Sequence, residues 1–170
     1  ILICAAALGY YGYQRWNAFK EKGLGYYAKT RNDASRRGVS RMSAYLHYGM
    51  VSPLRIAREA DELAAEKFLD ELLIWRELAY NFCFHFRDNL DSFDALPGWA
   101  RTTLLDHATD ARDAHFGWER LARGHSDNRL WDACQRSLLK HGELHNNLRM
   151  TWGKAVLRWT RRPEQALGMI

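Results

Sequence analysis

Proline and cysteine are both scarce. Three prolines, Pro53, Pro97 and Pro163, interrupt 170 residues, so helices meet few obligatory breaks. Cys4, Cys83 and Cys134 lie far apart with no CxxC spacing. That pattern argues against a disulfide frame, a zinc site or an iron–sulfur site, and fits buried thiols in a reducing compartment. No apolar run has bilayer length. The opening stretch Ile1–Leu8 is too short to span and no basic segment precedes it, so it reads as the start of a buried helix and no membrane is expected. Acidic residues number 20 against 25 lysines and arginines, a net charge of +5.

The basic residues are not gathered in one tail. They fall in short groups, Arg36-Arg37…Arg41 and Arg158…Arg161-Arg162. Such groups suit a patch facing phosphate on a folded surface, or an ordinary solvated surface. Seven tryptophans are more than packing a chain this short requires. The length is that of one ordinary domain. The first residue, Ile1, and the closing apolar run Ala166-Leu167-Gly168-Met169-Ile170 read as the ends of a piece of a longer protein.

Apolar residues recur at helical spacing, and the expected fold is all-α, a multi-helix orthogonal bundle. A helix over Tyr10–Lys22 should stop at Gly23 and Gly25. A polar loop from Thr30 to Gly38 follows. Ser43 is placed to cap a short helix through His47, and Ser52-Pro53 to start the next. Ala64 to Phe84 reads as one long, mostly buried helix. After a loop over Asp88–Gly98, helices are expected over Trp99–His107, Phe116–Ala122, Asn128–Lys140, His145–Thr160 and Pro163–Met169, with Gly142 breaking one join.

Four groupings carry chemistry. His141 and His145 are four apart, but Gly142 lies between them and the order is H-x-E-x-H, not the H-E-x-x-H of zinc proteases, so no metal is expected. In GVSRMS (38–43), Ser40 and Ser43 stand three apart at a helix start beside Arg41. That makes either a phosphate cradle or a plain N-cap box. Glu71 and Trp75 are one turn apart in the long helix, and a buried carboxylate there needs a partner. The alternative is a glutamate reaching solvent or an arginine. Asn146, Arg149 and Trp152 follow one another at threes, a spacing that lets an amide and a guanidinium hold the edge of a planar ligand. Trp131, Trp152 and Trp159 fall on two neighbouring helices, as packing or as an electron path.

Taken in order, GVSRMSAYLHYGMVSP (38–53), ELLIWRELAYNFCFH (71–85) and LWDACQRSLLKHGELHNNLRMTWGKAVLRWT (130–160) resemble the flavin-binding helical domain of the photolyase and cryptochrome family. WRELAYNFCFH and LRMTWGKAVLRWT are most similar to class II cyclobutane-dimer photolyases, and HNNLRM to the class I form. The resemblance implies FAD held by Tyr27, Ser40, Met42, Ser43, Asn146 and Arg149. It implies Glu71 and Trp75 at the lesion, although class I members carry the carboxylate where Leu72 stands here. Arg31, Asn147 and Met150 would meet DNA or the lesion, and Trp152, Trp131 and Trp159 would resupply the flavin with electrons. Glu143 departs from both classes, which have tryptophan or lysine there.

The implied activity is light-driven splitting of cyclobutane pyrimidine dimers in DNA, a carbon–carbon lyase reaction. The alternatives are a cryptochrome-like photoreceptor and a flavin-free helical relic. Residues 1–170 would form part of the FAD-binding domain, inactive alone. The antenna domain with any antenna chromophore, and the last flavin clamp, would lie outside it. A monomeric, cytoplasmic, nucleoid-associated protein of bacterial type is expected.

Overall fold

The computed structural model describes the backbone of residues 2–112 and 114–170, with side chains from residue 7 onward apart from residue 113. The expectation for the opening run therefore rests on side chains, Cys4 among them, that lie outside the described residues. All regular structure among the described residues is helical, so the fold is all-α. The chain divides into two compact units, residues 1–84 and 85–170.

The first unit opens with α1 (Leu2–Lys22), which starts earlier than the sequence pattern suggests. Gly23 closes it, its N–H reaching the Phe19 carbonyl at 2.7 Å. A 3₁₀ turn (Leu24–Tyr26) leads into α2 (Tyr27–Thr30). After a stretch of turns come α3 (Ser43–His47) and α4 (Pro53–Asp61). The α4 start is as the sequence dictates: Ser52 Oγ accepts from the Arg55 N–H and proline occupies the first turn.

The expected long helix is present over residues 66–86, but it is neither regular nor mostly buried. Ala64 adopts φ +51° just before it. α5 (Glu66–Leu69) then passes through a π-helical turn, Asp70–Ile74, into α6 (Trp75–Phe86). Phe68 and Leu72 reach the core, while α6 buries none of its residues. Its apolar side chains encircle the helix, and a single flank cannot cover such a pattern.

Trp16 and Ile56 are the centre of this unit's core, both 0 % exposed. Phe68 packs on Trp16 (ring centroids 5.4 Å) and edge-on to Tyr27 (5.3 Å), and Met42, Val51 and Leu72 complete the cluster. Below it, Glu59 accepts from Trp16 Nε1 (2.7 Å), Lys20 Nζ (2.7 Å) and Arg55 Nε (2.8 Å). Without those three donors the burial of the Glu59 carboxylate would be unfavourable.

The second unit contains α7 (Gly98–Asp106), α8 (Trp118–Ala122), α9 (Arg129–His141), α10 (Asn146–Ala155), a 3₁₀ turn (Val156–Trp159) and α11 (Pro163–Leu167). The expected helix His145–Thr160 thus tightens to 3₁₀ over its last turn. Asn128 caps α9 through the Trp131 N–H. Gly142, at φ +64°, ends it with an N–H bond to the Leu138 carbonyl. Leu121, Trp131, Val156, Trp159 and Ala166 form the core here.

Candidate functional site

In the first unit, the proposed cradle begins at Gly38. A Cβ there would stand 2.5 Å from Thr30 Oγ1 and 2.8 Å from the Thr30 carbonyl, so only glycine lets this loop close on the end of α2. Arg41 takes the left-handed conformation, φ +55°. For a non-glycine residue this costs on the order of 1 kcal/mol. The helix cap proves to be Met42, and Ser43 is the first helical residue; no side chain caps α3. The two serines are therefore not spent on an N-cap box, and Ser43 is exposed. Met42 itself is 1 % exposed and packed in the core, so only its backbone can meet a ligand. Tyr27 is half-buried, its ring held between Phe19 and Phe68.

Glu71 and Arg31, read separately in the sequence, are one ion pair, Nη2 to Oε1 at 2.7 Å. Lys67 Nζ reaches the same oxygen at 2.9 Å and Asp70 at 2.5 Å. The glutamate thus reaches an arginine after all, and it does so from the π turn. Such turns are frequent at functional sites because they turn one side chain out of helical register. Arg31 keeps one buried donor, Nε, without a partner. Trp75, next after the π turn, is 59 % exposed.

The second unit places Asn146 and Arg149 together at the start of α10, with Arg149 Nη2 donating to Asn146 Oδ1 at 2.7 Å. The cap of this helix is His145. Its Nδ1 accepts from the Asn147 N–H at 3.3 Å, so its proton sits on Nε2, which is buried with no partner. His141 ends α9 and His145 begins the next helix, so the pair does not share one helical face. Among the described residues, no group of three His, Cys, Asp or Glu side chains is arranged to hold a metal. Asn147 and Met150 are exposed, and the Glu143 carbonyl accepts from Ser137 Oγ at 2.8 Å.

The three tryptophans are contiguous. Trp152 stacks on Trp131 with ring centroids 5.9 Å apart and planes 11° from parallel. Trp159 meets Trp131 edge-on at 5.3 Å. Two hydrogen bonds lock the stack: Trp131 Nε1 donates to the Trp152 carbonyl (2.9 Å) and Trp152 Nε1 to Gln135 Oε1 (3.1 Å). Gln135 escaped the sequence reading. Its signal was its place one helical turn after Trp131 on α9.

Cysteine placement departs from expectation. Cys134 is buried, and burial raises its thiol pKa, but Cys83 is exposed on α6. No helix among the described residues is long and apolar enough to cross a membrane.

This is an all-α chain with three contiguous indoles, an Asn–Arg pair at a helix start and a carboxylate held in a π turn. No family model matches it. Proteins named deoxyribodipyrimidine photo-lyase do match. The one from Methanothermobacter thermautotrophicus is 37% identical over 152 residues, 89% of this chain and 34% of that protein. Those from Oryza sativa subsp. japonica (39% over 158 residues) and Arabidopsis thaliana (38% over 160 residues) cover 89% and 90% of this chain and 31% and 32% of their own lengths. The chain is homologous to part of a photolyase and spans about a third of the length of these relatives.

Proposed function

We propose that the chain is part of the FAD-binding helical domain of a class II-like photolyase that splits cyclobutane pyrimidine dimers in DNA. The observation that carries this reading is the unbroken line of ring contacts Trp152–Trp131–Trp159, a geometry suited to short electron hops. No observation favours a signalling photoreceptor instead.

Each unit by itself offers donors suited to one part of a flavin dinucleotide. The proton on His145 Nε2 is buried and unspent, the start of α3 lacks a side-chain cap, and Arg149 and Asn146 present a fork and an amide side by side. Ser40, Ser43 and the Met42 backbone, with Tyr27 nearby, would hold phosphates, and Asn146 and Arg149 the flavin. When bound, reduced and excited by blue light, the flavin supplies the electron that opens the dimer ring. Trp152, Trp131 and Trp159 would pass on electrons drawn from an external one-electron reductant such as a small thiol. Glu71 and Trp75 receive the lesion, and Asn147 and Met150 stand at positions that in the family contact DNA or the lesion. Arg31 and Lys67 hold the Glu71 carboxylate in place, so Arg31 acts on the lesion through Glu71. Phosphate contact then falls to Arg36, Arg37 and Arg161.

The working protein is a monomer that acts on dimer-containing DNA in the cytoplasm at the nucleoid. Its remaining segments, an antenna domain and a further flavin clamp, lie outside these residues. The test is repair of dimer-containing DNA by the full-length protein under blue light with reduced flavin. Loss of dimers only in the light is expected; dimers that persist would overturn the reading.

A further inference from the structure

Gln135 has no role in the reading above, yet its side chain is fixed at both ends. Its Nε2 donates to the Ala122 carbonyl at 2.9 Å. That bond sets which end of the amide is which and leaves Oε1 facing Trp152 Nε1 at 3.1 Å. Trp131 Nε1 likewise faces a carbonyl, that of Trp152. Both acceptors are amide oxygens, which accept hydrogen bonds but are too weakly basic to take a proton.

The surroundings keep bases away as well. Trp152, Trp131 and Gln135 border a hollow of about 400 Å³ whose wall holds no titratable side chain. Charged groups on the packed elements are engaged elsewhere. Glu119 pairs with Arg123 and Arg120 with Asp127. Asp132 accepts from Ser126, Arg136 donates to the Gly124 carbonyl, and Arg149 donates to Asn146. Lys154 and Glu164 are exposed.

We infer that Gln135 is a positioning residue that keeps oxidised Trp152 protonated, so that the electron vacancy moves on along the tryptophans. This rests on the relay proposed above. One-electron oxidation of Trp152, the acceptor being a photoexcited oxidised flavin, leaves an indole radical cation whose N–H is far more acidic than in neutral indole. If that proton left, the neutral radical would be a weaker oxidant and the vacancy would stay at Trp152. With an amide oxygen as its acceptor among the described residues, the N–H bond stays intact. Trp131 then returns one electron to Trp152, and Trp159 one to Trp131. An external one-electron reductant, such as a small thiol, restores Trp159. No bond between heavy atoms forms or breaks.

The test uses the full-length, flavin-loaded protein with Gln135→Glu and Gln135→Met, read by transient absorption and electron paramagnetic resonance after a light flash. Wild type should give a protonated Trp152 radical that decays as oxidised Trp159 appears, with a yield independent of pH. In Gln135→Glu the ionised carboxylate takes the proton. A neutral radical should then persist at Trp152 and the Trp159 yield should fall, recovering as acid protonates the introduced carboxylate. Gln135→Met, which has neither amide nor base, should lower the yield without making it pH-dependent. The inference is overturned if Gln135→Glu gives the same radical species and yields as wild type at every pH. If wild type forms no tryptophan radical, the relay itself is wrong, which is a different outcome.

Discussion

Glu59 shows how one carboxylate ties a unit together. The Arg55 guanidinium, first, and the Lys20 ammonium with the Trp16 indole hold its pKa at about 2, while burial pushes the other way. A folded-state value below the unfolded one adds stability above the unfolded pKa, 4.5, and that stability drains away as pH falls from there toward 2. The size is on the order of 2–3 kcal/mol. Chemical denaturation at pH 6 and pH 3 should therefore show a loss in wild type that is largely absent in Glu59→Gln, which is already the less stable at pH 6. The cysteines give a second residue-scale prediction. Cys83 is exposed, while Cys134 is buried with a raised thiol pKa. A thiol reagent on the native protein should modify Cys83 promptly and Cys134 only after unfolding, as mass spectrometry of peptides would record.

Helix ends and breaks are where local sequence and tertiary demand can be compared. Gly142 sits at φ +64° with open space where a Cβ would be, so Gly142→Ala should cost about 1 kcal/mol by conformation alone. Ala64 is the opposite case: an exposed non-glycine residue at φ +51° before α5. Ala64→Gly should raise stability by about 0.5–1 kcal/mol, since relief of left-handed strain exceeds the added freedom of the unfolded chain. Melting curves of both variants check the signs. The Gly142 stop and the Ser52-Pro53 start were legible because glycine and proline act through their own backbones. The π turn at Asp70–Ile74 was not, because its residues have ordinary helical propensities. Nor was the cap of α3: Ser43 is a good capping residue, yet the close approach of Gly38 to Thr30 and the burial of Met42 put the cap at Met42 and make Ser43 the first helical residue.

For the whole protein, DNA affinity should be electrostatic and blind to sequence. With three phosphate contacts, from Arg36, Arg37 and Arg161, binding by the full-length protein should weaken about 40-fold between 50 and 200 mM salt. Arg36 already pairs loosely with Asp33 (3.0 Å) on an exposed surface, a contact DNA can displace at little cost. A flat salt profile would show that these arginines are only solvated surface. The contribution of Arg31 should differ in kind. Because it is spent on Glu71, Arg31→Ala should impair repair more than general DNA binding, measured side by side.

The all-α class and most helix positions were legible in the sequence, since periodicity and capping residues act over one or two turns of chain. What only the folded chain decided were the partnerships between residues far apart in sequence: Arg31 with Glu71, Glu59 with Trp16, Trp152 with Gln135 and Trp131. Spacing along the chain says which side chains share a helix face, but not which face a second helix brings against it. Those choices came from the competition to bury tryptophan and phenylalanine while pairing the Glu59 carboxylate and the indole N–H groups of Trp16, Trp131 and Trp152.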